Sequence, residues 1–119
     1  MRELYWVGSS RDDLRAFPEE VRLALGYGLY LAQRGDAHPH AKPLKGFAGA
    51  SVMEIAERFD TNTYRAVYTV SLKSGVYVLH AFQKKATRGI AAPQREIDLV
   101  QQRLQQAIRF DGQLQRKER

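Results

Sequence analysis

The stretch Gly75-Val76-Tyr77-Val78-Leu79-His80-Ala81-Phe82-Gln83-Lys84-Lys85-Ala86-Thr87-Arg88 decides how this 119-residue chain is read. From Val76 to Phe82 it is an apolar, β-favouring run broken only by His80, the pattern of a central strand covered on both faces. Past Phe82 the character changes within one residue. Lys84, Lys85 and Arg88 bring three cations to the strand's end, and Gln83 and Thr87 bring two hydrogen-bonding groups. A rigid strand that delivers cations to a surface is a way to hold a phosphate or an acidic partner.

Two further runs precede it. Residues 64–72 alternate, with Tyr64, Ala66, Tyr68, Val70 and Leu72 on one face and Arg65, Val67, Thr69 and Ser71 on the other. Residues 51–59 alternate too. Met53, Ile55 and Phe59 share a side with Glu57, and Glu54, Ala56 and Arg58 take the opposite side. Asp60-Thr61-Asn62-Thr63 and Ser74-Gly75 are turn signals, so the three strands are expected to form an antiparallel meander.

Upstream, residues 36–50 carry Pro39, Pro43, Gly46 and Gly49 and read as a loop, anchored by Leu44 and Phe47 with Lys45 pointing out. His38 and His40 stand two apart in it, with no cysteine or nearby acidic ligand pair, a thin basis for a metal site. Residues 18–34 predict a helix. Pro18 suits its first position, Glu19 and Glu20 its first turn, and Val21, Ala24/Leu25, Gly28 and Leu31/Ala32 keep helical spacing up to Gly35. Gly26 and Gly28 each cost it about 1 kcal/mol relative to Ala, which close packing against a sheet would explain. Before that come a strand at residues 2–7, a break at Gly8-Ser9-Ser10 with Ser9 or Ser10 as a candidate cap, and a short helix with Leu14 and Phe17 on one face.

Downstream, Pro93 opens a helix with the stripe Ile97, Val100, Leu104 and Ala107/Ile108, and Gly112 is placed to end it. The expected order is β-α-α-β-β-β-α. It describes an α+β domain, a small antiparallel sheet packed by two N-terminal helices and one C-terminal helix, over residues 1–112, with a basic, frayed tail at 113–119.

The chain is 44% hydrophobic and 27% charged, ordinary for a globular domain that buries a modest core. It has no cysteine, which excludes disulfides, thiolate metal sites and a cysteine nucleophile. Nineteen Lys+Arg against 13 Asp+Glu give a formal charge of +6, which favours a polyanionic partner, either nucleic acid or an acidic protein. The start is too short and polar for a signal peptide, and no run approaches the roughly 18–20 apolar residues of a spanning helix. A cytoplasmic protein with no membrane partner is expected.

Several segments in this order resemble the RelE/ParE superfamily of bacterial toxins, and specifically its HigB-like, phage-derived branch. They are Glu19-Glu20-Val21-Arg22, Gly26-Tyr27-Gly28-Leu29-Tyr30-Leu31-Ala32-Gln33-Arg34-Gly35, Ala41-Lys42-Pro43-Leu44-Lys45-Gly46-Phe47, Thr63-Tyr64-Arg65-Ala66-Val67-Tyr68-Thr69-Val70 and Tyr77-Val78-Leu79-His80-Ala81-Phe82-Gln83-Lys84-Lys85. The resemblance implies a RelE-like fold and an mRNA endonuclease of a type II toxin–antitoxin system. The enzyme would work with the ribosome and be held inactive by a cognate antitoxin, often a helix-turn-helix DNA-binding protein. No cofactor or metal is implied. By position, Lys45, Arg58, Arg65, His80, Lys84, Lys85 and Arg88 match places where such toxins carry basic functional residues. A late tyrosine or acid–histidine cluster, used by some relatives, is absent here; beyond Ile108 only Phe110 is aromatic. Some relatives poison DNA gyrase instead, so a non-nuclease toxin is the alternative.

Metal-free RNA cleavage needs a proton acceptor for the 2′-hydroxyl, a donor for the leaving 5′-oxygen, and cations around the transition state. Arg65 and Arg58 are the expected phosphate clamps, because the planar guanidinium fork matches phosphate oxygens. Lys84, Lys85 or His80 would transfer protons, Lys45 and Arg88 would hold flanking phosphates, and Tyr68 could stack a base. Against these stand plainer roles: His80 packed within the strand, Arg58 paired with Glu54 or Glu57, and Tyr68 in the core.

Overall fold

The computed structural model describes residues 1–47, 51–85 and 93–117, with Lys85 described by its backbone alone. The elements are β1 (Glu3–Trp6), α1 (Ser10–Arg15), α2 (Glu19–Gln33), β2 (Ala41–Pro43), β3 (Val52–Phe59), β4 (Asn62–Thr69), β5 (Gly75–Lys85) and α3 (Gln94–Lys117). They build an α+β domain around one five-stranded sheet in the order β1-β5-β4-β3-β2. Strands β3, β4 and β5 form the expected antiparallel meander.

Two sheet expectations are corrected. The sheet is mixed, because β1 runs parallel to β5 with Glu3 opposite Gly75 and Trp6 opposite Val78. Arg2 fixes this edge by donating from its guanidinium to the carbonyls of Val70, Leu72 and Gly75. Residues 41–43, expected within a loop, form β2, an edge strand antiparallel to β3. Pro43 is tolerated there, since an edge strand leaves one row of N–H groups unused.

Helices cover both faces. On one, Leu14, Val21, Leu25, Leu29 and Ala32 from α1 and α2 pack on Ile55, Tyr64, Ala66, Tyr68, Val76, Val78 and Ala81. On the other, Val100, Leu104 and Ala107 of α3 pack on Val52, Val67, Tyr77 and Leu79. The pairing of β4 with β5 slips by one residue, with Val67 opposite His80 but Tyr68 opposite Val78. This bulge decides where His80 goes. Strict alternation would put it with Val76 and Val78 in the apolar core under α1 and α2. The extra residue turns it to the α3 face instead.

Gly112 does not end α3, which continues to Lys117. The Asp111 carboxylate accepts hydrogen bonds from the Lys73 and Ser74 amides and the Tyr77 hydroxyl, which tie the helix to the sheet just before the glycine, and from the Gln115 side chain, which bridges the glycine within α3.

The two helix glycines differ. A Cβ on Gly28 would lie 2.4 Å from Ile55 Cδ1, so close packing explains that residue. A Cβ on Gly26 would meet nothing within 4 Å. Gly26→Ala should therefore stabilise the protein by about 1 kcal/mol in urea unfolding, through helix propensity alone. A loss of stability would show that the space beside Gly26 is occupied in solution. Among the described residues no helix is long and apolar enough to cross a membrane.

Candidate active-site cleft

The register of the sheet sets out polar side chains on the α3 face in transverse rows. One row runs Lys42, Glu54, Val67, His80. The next runs Ala56, Arg65, Phe82, and the third Arg58, Thr63, Lys84. Arg65 is thus a diagonal neighbour of Glu54 across the β3–β4 ladder, within reach of a long side chain.

The two meet in a buried ion pair. Arg65 Nη1 donates to Glu54 Oε2 at 2.7 Å, with Glu54 1% and Arg65 7% exposed. Lys42 Nζ approaches the other carboxylate oxygen at 3.9 Å from the rim. Above the pair opens a cleft of about 460 Å³. Its walls are Lys42, Leu44 and Lys45 at the sheet edge and Gln94, Ile97 and Gln101 on α3. The N-terminal turn of α3 therefore borders it, and the helix dipole adds to the field of three cations. An anion fits the rim. Glu54 is the carboxylate among the described lining residues, and it orients Arg65.

The sequence-predicted residues fall into distinct places. Lys45 and Arg65 come together in the cleft. Arg58 is exposed and Lys84 half-buried in the third row, on the same face but outside the lining. Arg58 does not take Glu54 as its partner; Arg65 does. Arg88 lies outside the described residues, as does the side chain of Lys85. Tyr68 lies on the opposite face in the core under α1 and α2, 2% exposed, where no base can stack on it. Its burial raises the phenol pKa and keeps it neutral.

His80 is 5% exposed and held at both ring nitrogens. Nε2 meets the Glu96 carboxylate, and Nδ1 lies 3.2 Å from Arg103 Nη1. Arginine only donates, so Nδ1 accepts and the ring proton sits on Nε2, facing Glu96. Arg103 also donates to the Leu79 carbonyl at 3.0 Å and to Ser9 Oγ at 3.0 Å. His80 thus ties the first turn of α3 to β5. The plainer expectation of a packed histidine describes it, with side chains as partners instead of a backbone group.

Sequence reasoning missed Lys42, Glu96 and Arg103 as members of this face; it put Glu54 there beside Arg58 but not with Arg65 in the cleft. A signal existed for Glu54. If Asp60-Thr61 is taken as a two-residue turn, Phe59 pairs with Asn62 and Arg65 falls opposite Ala56, diagonal to Glu54. Asp60, with φ 56, supplies the left-handed residue such a turn requires. Nothing comparable pointed to Glu96 or Arg103, whose roles depend on how α3 crosses the sheet.

Fold and cleft together define a small basic α+β domain with a cleft rimmed by Lys42 and Lys45 on one sheet face. The chain belongs to the phage-derived Gp49-like family (DUF891), which it matches over residues 12–105, well over half its length. This is a family of RelE/HigB-like toxins from toxin–antitoxin systems. The matched span includes every residue described as lining the cleft. Neither the curated proteins nor the solved structures give a match to the chain.

Proposed function

We propose that this protein is the toxin of a type II toxin–antitoxin system in the HigB-like branch, and that it arrests translation by cutting mRNA without a metal. The observation that carries this reading is Arg65, buried beside Glu54 at the floor of a cleft rimmed by Lys42, Lys45 and the start of α3. A guanidinium fixed in place before substrate arrives needs no reorganisation to stabilise the charge that develops on phosphorus. Arg65 and Lys45 hold the scissile phosphate. Glu54, buried, orients Arg65 and does not meet substrate. Of the two lysines at the end of β5, Lys84 and Lys85, one takes the proton as the 2′-oxygen attacks phosphorus and the other gives a proton to the leaving 5′-oxygen, and a 2′,3′-cyclic phosphate remains. Arg58 and Arg88 serve the flanking phosphates. His80 acts through α3 and does not touch substrate.

The ribosome is the proposed site of action, the cytoplasm its location, and a helix-turn-helix antitoxin the partner that silences it. Family membership and the net charge of +6 support these assignments.

The test is induction of the toxin in cells with mapping of RNA ends. New mRNA 5′ ends are expected within minutes of induction. Arg65→Lys keeps a cation beside Glu54 but loses the fork, and should reduce cutting about 100-fold. Lys84→Ala/Lys85→Ala should reduce it comparably while the fold persists. Intact mRNA accompanied by DNA strand breaks would overturn the nuclease reading in favour of a gyrase poison.

A further inference from the structure

On the sheet face opposite the cleft, the structure brings His38, His40 and Glu57 together. His38 Nε2 is 3.9 Å and His40 Nδ1 3.1 Å from the same oxygen, Glu57 Oε1. One ligand atom from each of the three lies within 4.8 Å of the others. The local sequence builds this arrangement. Pro39 occupies the second position of a β-turn closed by the Ala41 amide donating to the His38 carbonyl at 2.9 Å. The turn sets the two imidazoles edge to face at 5.0 Å, and β3 carries Glu57 beneath them.

We propose that this cluster is a binding site for a divalent transition metal, Zn²⁺ above all, with two imidazoles and one carboxylate as protein ligands. Two nitrogens and one oxygen suit zinc and disfavour magnesium or calcium, which seek oxygen. Tetrahedral coordination at about 2.0–2.2 Å puts ligand atoms a little over 3 Å apart, so small side-chain rotations close the site. His40, with a side chain 61% exposed, leaves the fourth position to water. Two hydrogen bonds are exchanged on binding: zinc takes the place of the one between His40 Nδ1 and Glu57 Oε1 at 3.1 Å, and a second is given up at His38. The His40 amide donates to His38 Nδ1 at 3.0 Å. Zinc on Nε2 moves the ring proton to Nδ1, and the exposed amide turns to solvent.

The metal acts as a staple. β2 is three residues long and sits at the sheet edge, yet it positions Lys42 and leads into Lys45 at the cleft. Zinc would tie the turn before β2 to β3, the strand beside it, without itself approaching the cleft.

Tag-free protein stripped with chelator is titrated with ZnCl₂ by calorimetry, and its amide hydrogen exchange and Tm are followed. One equivalent is expected to bind, to raise Tm by about 5 °C or more, and to slow exchange at Ala41 and Leu44, whose amides hold the two ends of β2. His40→Ala, exposed and outside the core, should leave the metal-free Tm unchanged and weaken binding at least about tenfold. Glu57→Gln should weaken it similarly. MgCl₂ should produce none of these effects. No binding, or binding that both variants retain, overturns the site. Binding without slower exchange in β2 overturns the staple. RNA cleavage is not part of the readout, so this test and that of the nuclease reading fail separately.

Discussion

Arg65→Ala should destabilise the protein by about 3–5 kcal/mol in urea unfolding, more than any exposed cation on the same face. The reason lies with the partner left behind. Glu54 is 1% exposed, and its carboxylate meets Arg65 at 2.7 Å but Lys42 only at 3.9 Å. Without the guanidinium, a carboxylate stays buried with a weak rim contact. Replacing both members, Glu54→Met with Arg65→Met, removes the uncompensated charge and should recover most of that loss. Activity should not recover, because the double variant folds without the group that grips phosphate. This combination separates structure from chemistry. A double variant that regains stability and also cuts RNA would remove Arg65 from the active site. One as unstable as Arg65→Ala would show that the two side chains are not an energetic unit.

The meander was legible because its signals are local. Tyr64, Ala66 and Tyr68 alternate, Asp60-Thr61 and Ser74-Gly75 turn, and the run from Val76 to Phe82 has to be central. β2 was not legible, because Pro39 and Pro43 write a loop and only pairing with β3 makes residues 41–43 a strand. The parallel fit of β1 to β5 rests on contacts more than 65 residues apart, such as Arg2 with Val70. In the cleft, Arg65 could be found as a cation at a strand position and Lys45 as an outward cation in the anchored loop, whereas their relation to α3 needed the fold. His80 was hardest to place. A single bulge reverses its face, and neighbouring residues give no sign of it. Tyr68 and Tyr77 both look like inward strand residues in sequence, but one ends in the core under α1 and α2 and the other hydrogen-bonds a carboxylate.

That carboxylate, Asp111, leads to the second large effect. Asp111→Ala should lower stability at neutral pH by about 3 kcal/mol, since it removes charge-assisted hydrogen bonds and leaves the buried Tyr77 hydroxyl without its acceptor. The cost should depend on pH in a defined direction. Burial alone would raise the Asp111 pKa, but hydrogen bonds from Ser74, Tyr77 and Gln115 outweigh it and bring the value below the ordinary one. A group with a depressed folded pKa stabilises fully above its unfolded pKa, about 3.9, and loses that contribution as pH falls through the folded value. The gap between wild type and Asp111→Ala should therefore be widest from pH 5 upward and narrow below about pH 4. Tyr77 supplies the alkaline counterpart. Burial and then the Asp111 bond raise its phenol pKa, so its contribution is whole below about pH 10 and fades as pH rises toward the folded value. Tyr77→Phe should cost about 1–2 kcal/mol at pH 7 and almost nothing in an Asp111→Ala background. Urea midpoints across pH for the four proteins measure all of this. Parallel acid limbs for wild type and Asp111→Ala would mean that the carboxylate is not charged where it lies. Additive losses in the double variant would mean that the hydroxyl and the carboxylate do not hold each other, and the extension of α3 past Gly112 would then need another cause.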